Sequence, residues 1–152
     1  MNLYLECIPD EALAMCLGVP RKRITNQNDK GRVCNRLEKS RDALGMIDED
    51  PQSAQPAYLK KLERKESNHR LTVWEETGKN NRVIIICPRL EEWLLQTARE
   101  AAVDTRHFGL PDNAKDLHKI IHFRLDQLKK LLHYLEEQQN QPILYLKSLL
   151  NS

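Results

Sequence analysis

The stretch Ala43-Leu44-Gly45-Met46-Ile47-Asp48-Glu49-Asp50-Pro51 decides the fold. An apolar run of strand length ends abruptly in acid, as buried strands of parallel sheets do at their functional edge. Asn2-Leu3-Tyr4-Leu5 repeats the arrangement on a smaller scale and delivers Glu6. Between them, Pro9 suits the first turn of a helix whose dipole Asp10 and Glu11 complement. Leu13, Cys16 and Leu17 form its apolar stripe, and Gly18 and Pro20 stop it. Arg23 to Thr25 reads as a brief second strand. Asp29 can cap a second helix that buries Val33 and Leu37. Strand, helix, strand, helix, strand predicts an α/β fold with a mostly parallel sheet flanked by helices.

Further along, Pro51 to Pro56 reads as a polar loop and Ala57 to Glu66 as a short charged helix. Arg70–Glu75 and Arg82–Cys87 read as strands joined by the turn-rich Thr77-Gly78-Lys79-Asn80-Asn81. The β-branched run Val83 to Ile86 marks a central strand. Pro88 opens another helix, with Leu90, Leu94, Ala98 and Ala101 on one stripe. Beyond about residue 103 the pattern is helical. Ile121, Leu125, Leu128, Leu132 and Leu135 make a short heptad-like seam, read as packing within the domain rather than as a long coiled coil. Pro142 opens a last helix with Leu146, Leu149 and Leu150 on its apolar face. The expected division is an α/β core over 1–102 and a helical C-terminal extension over 103–152, packed on that core.

The 152 residues suffice for a domain with a real core, and 30% charged with 40% apolar residues is ordinary for a globular protein. A formal net charge of +2 does not announce a nucleic-acid binder. Cys7, Cys16, Cys34 and Cys87 make no Cys-x-x-Cys pair, which argues against a zinc site or a disulfide framework and for a reducing, cytoplasmic setting. The longest apolar run, Val83 to Cys87, is far short of a membrane span. The first residues lack a basic region and Glu6 interrupts their apolar run, so no signal peptide is expected.

Glu6 and the pair Asp48 and Asp50 carry the chemistry. On an extended chain, residues two apart point to the same side. Carboxylates that converge repel one another unless a cation lies between them, and a hard divalent ion takes oxygen ligands of this kind. If the first and third strands are neighbours, all three acids meet at one sheet edge. The plainer alternative is that Asp48 and Asp50 only shape the turn before Pro51.

Glu6-Cys7-Ile8-Pro9-Asp10 and Asp48-Glu49-Asp50 resemble the two acidic motifs of the Toprim family of topoisomerases, primases and nucleases. That family has a Glu after its first strand, often a second acid four positions on, and an Asp-x-Asp after its third strand. The resemblance covers residues 1 to about 102, and Cys7 stands where the family usually has Gly. It implies Mg²⁺ or Mn²⁺ as cofactor. Asp48 and Asp50 would hold the ion, Glu6 would bind it or act as general base, and Glu91 would contribute to a second ion. It also implies nucleic-acid phosphoryl chemistry, with phosphodiester cleavage preferred because strand passage needs a nucleophilic Tyr on further domains. For Glu91 and Glu92 the rival reading is a pair of first-turn acids that complement a helix dipole.

Arg21, Lys22, Arg23 and Lys30 are the candidate contacts to a nucleic-acid backbone, DNA or RNA. Lys60, Lys61, Arg64 and Lys65 form a second basic group after the Asp pair, and any of these cations can instead belong to a solvated face. His118 and His122 have metal-compatible spacing, but Lys119 follows the first His where the zinc-protease pattern has Glu; they read as structural or exposed. No Gly-rich phosphate loop is present. Two rivals stay open. One is a non-catalytic module that binds nucleic acid or a protein partner such as an ATPase, for example in phage defence. The other is a phosphatase of the haloacid-dehalogenase type, which Pro51 and Gln52 disfavour because that family wants Thr or Val two residues after the second Asp.

Overall fold

A computed structural model describes residues 1–152. One six-stranded sheet runs through the molecule in the order β2-β1-β3-β6-β5-β4. Its strands are β1 (Leu3–Leu5), β2 (Ile24–Asn26), β3 (Leu44–Asp48), β4 (Glu63–Asn68), β5 (Leu71–Glu76) and β6 (Asn81–Ile86). Strands β2, β1, β3 and β6 are parallel; β5 and β4 are antiparallel additions at one side. The helices are α1 (Ile8–Cys16), α2 (Lys30–Glu38), α3 (Leu90–Glu100), α4 (Ala114–Ile120), α5 (Leu125–Glu137) and α6 (Gln141–Leu150).

The alternation of side chains along each strand divides the core in two. Leu44, Met46, Ile84 and Ile86 face a large cluster that also holds residues of α1, α3, α5 and α6. Ile47 and Val83 face the opposite side, where they meet Val33, Cys34 and Leu37 of α2. Gly45 permits this close approach: a Cβ there would lie 2.7 Å from Leu37 Cδ1. The extension after residue 103 shares the large cluster through Leu128, Leu131, Leu132, Leu135 and Leu146. No helix is long and apolar enough to cross a membrane.

Residues 57–66 differ from the expected charged helix. Ala57–Lys61 is a 3-10 turn, and Glu63–Asn68 is the exposed edge strand β4. Its charges blunt an open sheet edge, and a charged edge strand has the composition of a solvated helix. The turn into β5 is His69-Arg70, both at positive φ (52° and 59°), the geometry usually given to Asn-Gly. Ala101, expected on the α3 stripe, is exposed beyond the helix end.

Candidate functional site

The sheet places Glu6 and Asp48 side by side. Strands β1 and β3 pair in parallel with Leu5 opposite Met46, so both acids emerge at the C-terminal edge. This is where the chain order reverses, since β2 and β6 lie on opposite sides of the β1–β3 pair. Glu6 Oε2 accepts a hydrogen bond from the Asp48 N–H at 2.7 Å. Asp48 Oδ1 accepts from the Leu90 N–H at 3.1 Å and so caps α3, whose N-cap Arg89 offers no side-chain acceptor of its own.

Two further acids complete the cluster. Asp10, in the first turn of α1, is only 1% exposed and its Oδ1 has no hydrogen-bond partner. Glu91, in the first turn of α3, is buried and meets His118 Nδ1 at 3.1 Å. Burial raises the Asp48 carboxyl to about 9, and the charges of Asp10, Glu6 and Glu91 add to the effect. Burial, with the Glu6 charge behind it, raises Asp10 to about 7. Glu6 is raised by burial too, against the Asp48 N–H and the Lys30 charge that lower it. These carboxyls are under-compensated. Burial also pushes the Cys7 thiol far up, with help from Asp10, which leaves it unreactive at neutral pH. Cys7 has φ −155°, an extended conformation open to any residue, so the position after Glu6 needs no Gly.

Glu6, Asp48, Glu91, Asn28, His118 and His122 line a cleft of about 180 Å³. The C-terminal extension therefore walls the site, with His118 of α4 71% exposed at its mouth. The His118–Glu91 contact was invisible to the histidine spacing, because it arises from the packing of α4 on α3. Lys115 and Lys119 of α4 border an adjoining hollow with Arg89 and Glu92. Asp10 carried a signal, its place four residues after Glu6, but its burial depends on tertiary packing.

Asp50 departs from expectation. The same-side argument needs an extended chain, and Asp50 takes φ +40° just past the end of β3. Its N–H donates to the Pro88 carbonyl at 2.8 Å and its carboxylate pairs with Arg89 at 3.2 Å. It is near enough for its charge to raise Glu6, yet it does not line the cleft.

The expected phosphate contacts are displaced as well. Arg21–Arg23 forms a turn that leads into the start of β2, so it lies at the N-terminal edge, roughly 10 Å of strand from the acids. Arg21 pairs with Glu11 at 3.1 Å, and Arg23 donates to the carbonyls of Met1 and Leu150. Lys22 is exposed at the same edge. Lys30 does start α2 on the functional side, but it is only 8% exposed. Its Nζ donates to the Glu49 carbonyl at 2.7 Å, Ser53 Oγ at 3.3 Å and Gln55 Oε1 at 3.3 Å. Lys30 thus ties down the loop after β3.

As they stand, no three or more His, Cys, Asp or Glu side chains are gathered closely enough to hold a metal ion. Mg²⁺ keeps several of its waters and is commonly held through one or two carboxylates, so a closed protein cage is not a requirement. The carboxylate donors and the orphaned Asp10 oxygen suit a hard cation. Comparison with protein-family models, curated proteins and solved structures finds no match to this chain.

Proposed function

We propose that the C-terminal-edge cleft binds Mg²⁺ or Mn²⁺ and that the protein performs phosphoryl chemistry on nucleic acid, with phosphodiester cleavage as the reaction. The observation that carries this reading is the gathering of Glu6, Asp48 and Glu91 along one cleft, with Asp10 buried behind them and one of its oxygens lacking any partner. Asp48 and Glu6 would hold the ion, with Glu91 beside them and Asp10 behind. When bound, such an ion polarises a phosphoryl oxygen and lowers the pKa of bound water. Glu6 has Oε2 fixed by the Asp48 N–H, which leaves Oε1 to face the ion or to take a proton from water. Its raised pKa makes it a stronger proton acceptor than an ordinary carboxylate. Glu91, oriented by His118, can turn its second oxygen to the same cleft. Asp50 stands outside this set, and its pairing with Arg89 suits a rim position.

One observation favours a second reading, the non-catalytic module. Glu6 and Asp48 each already accept a backbone N–H, so the pair also serves as a strap joining β1, β3 and α3. The cleft would then be a docking feature for nucleic acid or for a protein partner such as an ATPase.

The test is cleavage of end-labelled single- and double-stranded DNA and RNA with Mg²⁺ or Mn²⁺. Metal-dependent cleavage that disappears in Asp48→Asn is the expected result. Cleavage that survives excess chelator, or survives Asp48→Asn, would remove the metal mechanism. Saturable ion binding without cleavage of any substrate would favour the module.

A further inference from the structure

On the other side of Asp48 lies a groove that the carboxylate chemistry does not use. It has a volume of about 420 Å³, within the range of sites that seat a nucleoside-sized group. It opens on the α2 side of the sheet, where Ile85 of β6 and Trp74 of β5 stay partly exposed. Ile47, Ile85 and Leu59 line it with apolar surface, and Trp74 of β5 stands among them half-buried. The Trp74 Nε1–H donates to Thr72 Oγ1 at 3.0 Å, which satisfies its polar atom and fixes the ring. Its aromatic surface needs no further polar partner.

The cations of the groove are unspent. Arg64 lies opposite Trp74 across the β4–β5 ladder, and Lys60 comes from the 3-10 turn before β4. Neighbouring Lys61 pairs with Glu38 and Lys65 with Glu63, whereas Lys60 and Arg64 form no ion pair and no side-chain hydrogen bond. Asp48 and Glu49 also line the groove. A phosphate is therefore repelled from the acidic side and attracted to Lys60 and Arg64. Asp48 borders both the groove and the carboxylate cleft, so a strand seated in one leads to the other.

We infer that this groove receives a base of single-stranded nucleic acid against Trp74, with the adjoining phosphate held by Lys60 and Arg64. The inference rests on the reading of the cleft as a nucleic-acid site and adds its substrate class. An apolar recess with an aromatic wall and free cations is the general design for binding unpaired strands. A base inside a duplex cannot enter it without being flipped out of the stack.

The experiment follows tryptophan emission while single-stranded DNA or RNA of about eight nucleotides is titrated in excess chelator. The only other tryptophan, Trp93, is fully buried with its Nε1–H on the His69 carbonyl, so a change in emission reports Trp74. Quenching that saturates is expected, with duplex of the same length binding more weakly. Variants are compared by anisotropy of a dye-labelled strand, which does not need the indole; by that measure Trp74→Ala should weaken single-strand binding by about tenfold or more. Trp74→Phe keeps a ring and should retain binding, which separates lost stacking from lost fold. Lys60→Ala and Arg64→Ala should each flatten the salt dependence by about 0.7 in logarithmic slope. Unchanged emission at high strand concentration, unchanged affinity in Trp74→Ala, or lost binding in Trp74→Phe overturns the inference. A parallel Mn²⁺ titration keeps the two readings apart. Strand binding that fails while Mn²⁺ still binds overturns the groove alone; strand binding that persists without Mn²⁺ binding overturns the metal reading alone.

Discussion

The two edges of the parallel sheet treat their polar groups in opposite ways. At the N-terminal edge, buried Asn81 donates to the carbonyls of Leu37 (2.9 Å) and Ser40 (3.0 Å) and accepts from the Ala43 N–H at 3.1 Å. Arg23 binds the carbonyls of Met1 and Leu150, and Arg82 binds the Ser152 hydroxyl at 2.9 Å. Charge there fastens the chain ends to the sheet. At the C-terminal edge, Asp10 keeps an oxygen without a partner, and Asp48 is held far from its ordinary ionisation. Buried polar groups are nearly always satisfied, so the unmatched acids set this edge apart from the other and are what the proposed site rests on.

The largest effect should come from cutting the acidic cluster. Asp48→Asn keeps the shape and the oxygen that accepts the Leu90 N–H but removes the carboxyl that an ion would ionise and bind. Cleavage should be abolished while the metal-free fold becomes more stable, by on the order of 2 kcal/mol near neutral pH in urea unfolding. A less stable variant would show that the carboxylate is structurally required, which would make the two edges alike.

Stability should depend on pH in a direction set by the same edge. Asp48 and Asp10 have folded-state values of about 9 and about 7, above their ordinary 3.8. Below about pH 4 both states hold these protons. As pH rises from there towards 7 for Asp10 and 9 for Asp48, the unfolded chain releases protons that the folded chain retains. Their contribution therefore falls with rising pH, by up to about 1.4 kcal/mol per pH unit for each group. The groups facing Asp48 are Asp10, Glu6 and Glu91, and Mg²⁺ should relieve the loss. Thermal melts of metal-free protein from pH 4 to 9 check this. A flat profile would contradict the frustrated cluster.

Smaller effects sharpen the roles of the cations. Lys30→Met should cost about 1–3 kcal/mol, because the acceptors on Glu49, Ser53 and Gln55 lose a buried donor. Unchanged stability with a flatter salt dependence of binding would return Lys30 to the phosphate. Arg21→Ala and Lys22→Ala, at the satisfied edge, should leave nucleic-acid affinity and its salt slope unaltered when measured by anisotropy.

The same contrast explains what could be read from the chain. Ala43–Ile47 and Val83–Ile86 announced their strands because burial on both faces leaves continuous apolar runs. Adjacent β1 and β3 then brought Glu6 to Asp48, an outcome of topology that the order of elements made accessible. Strand β4 was hidden because an exposed edge carries charge and its turn uses His69-Arg70 in place of Asn-Gly. Asp50 misled because a positive φ breaks the period of two. Arg21–Arg23 precedes a strand and Glu6 follows one, a difference that decides the edge and was within reach of the sequence. The burial of Lys30 and Asp10 and the meeting of His118 with Glu91 come from tertiary packing, which no local pattern encodes.

The most direct test is calorimetric titration of metal-free protein with Mn²⁺ near neutral pH, for wild type and Asp48→Asn, in buffers of different ionisation enthalpy. Asp48 holds its proton at that pH, so ligation must displace it. The account predicts saturable binding coupled to proton release, with both lost in Asp48→Asn. Absence of binding to the wild type, or equal binding to the variant, would contradict it.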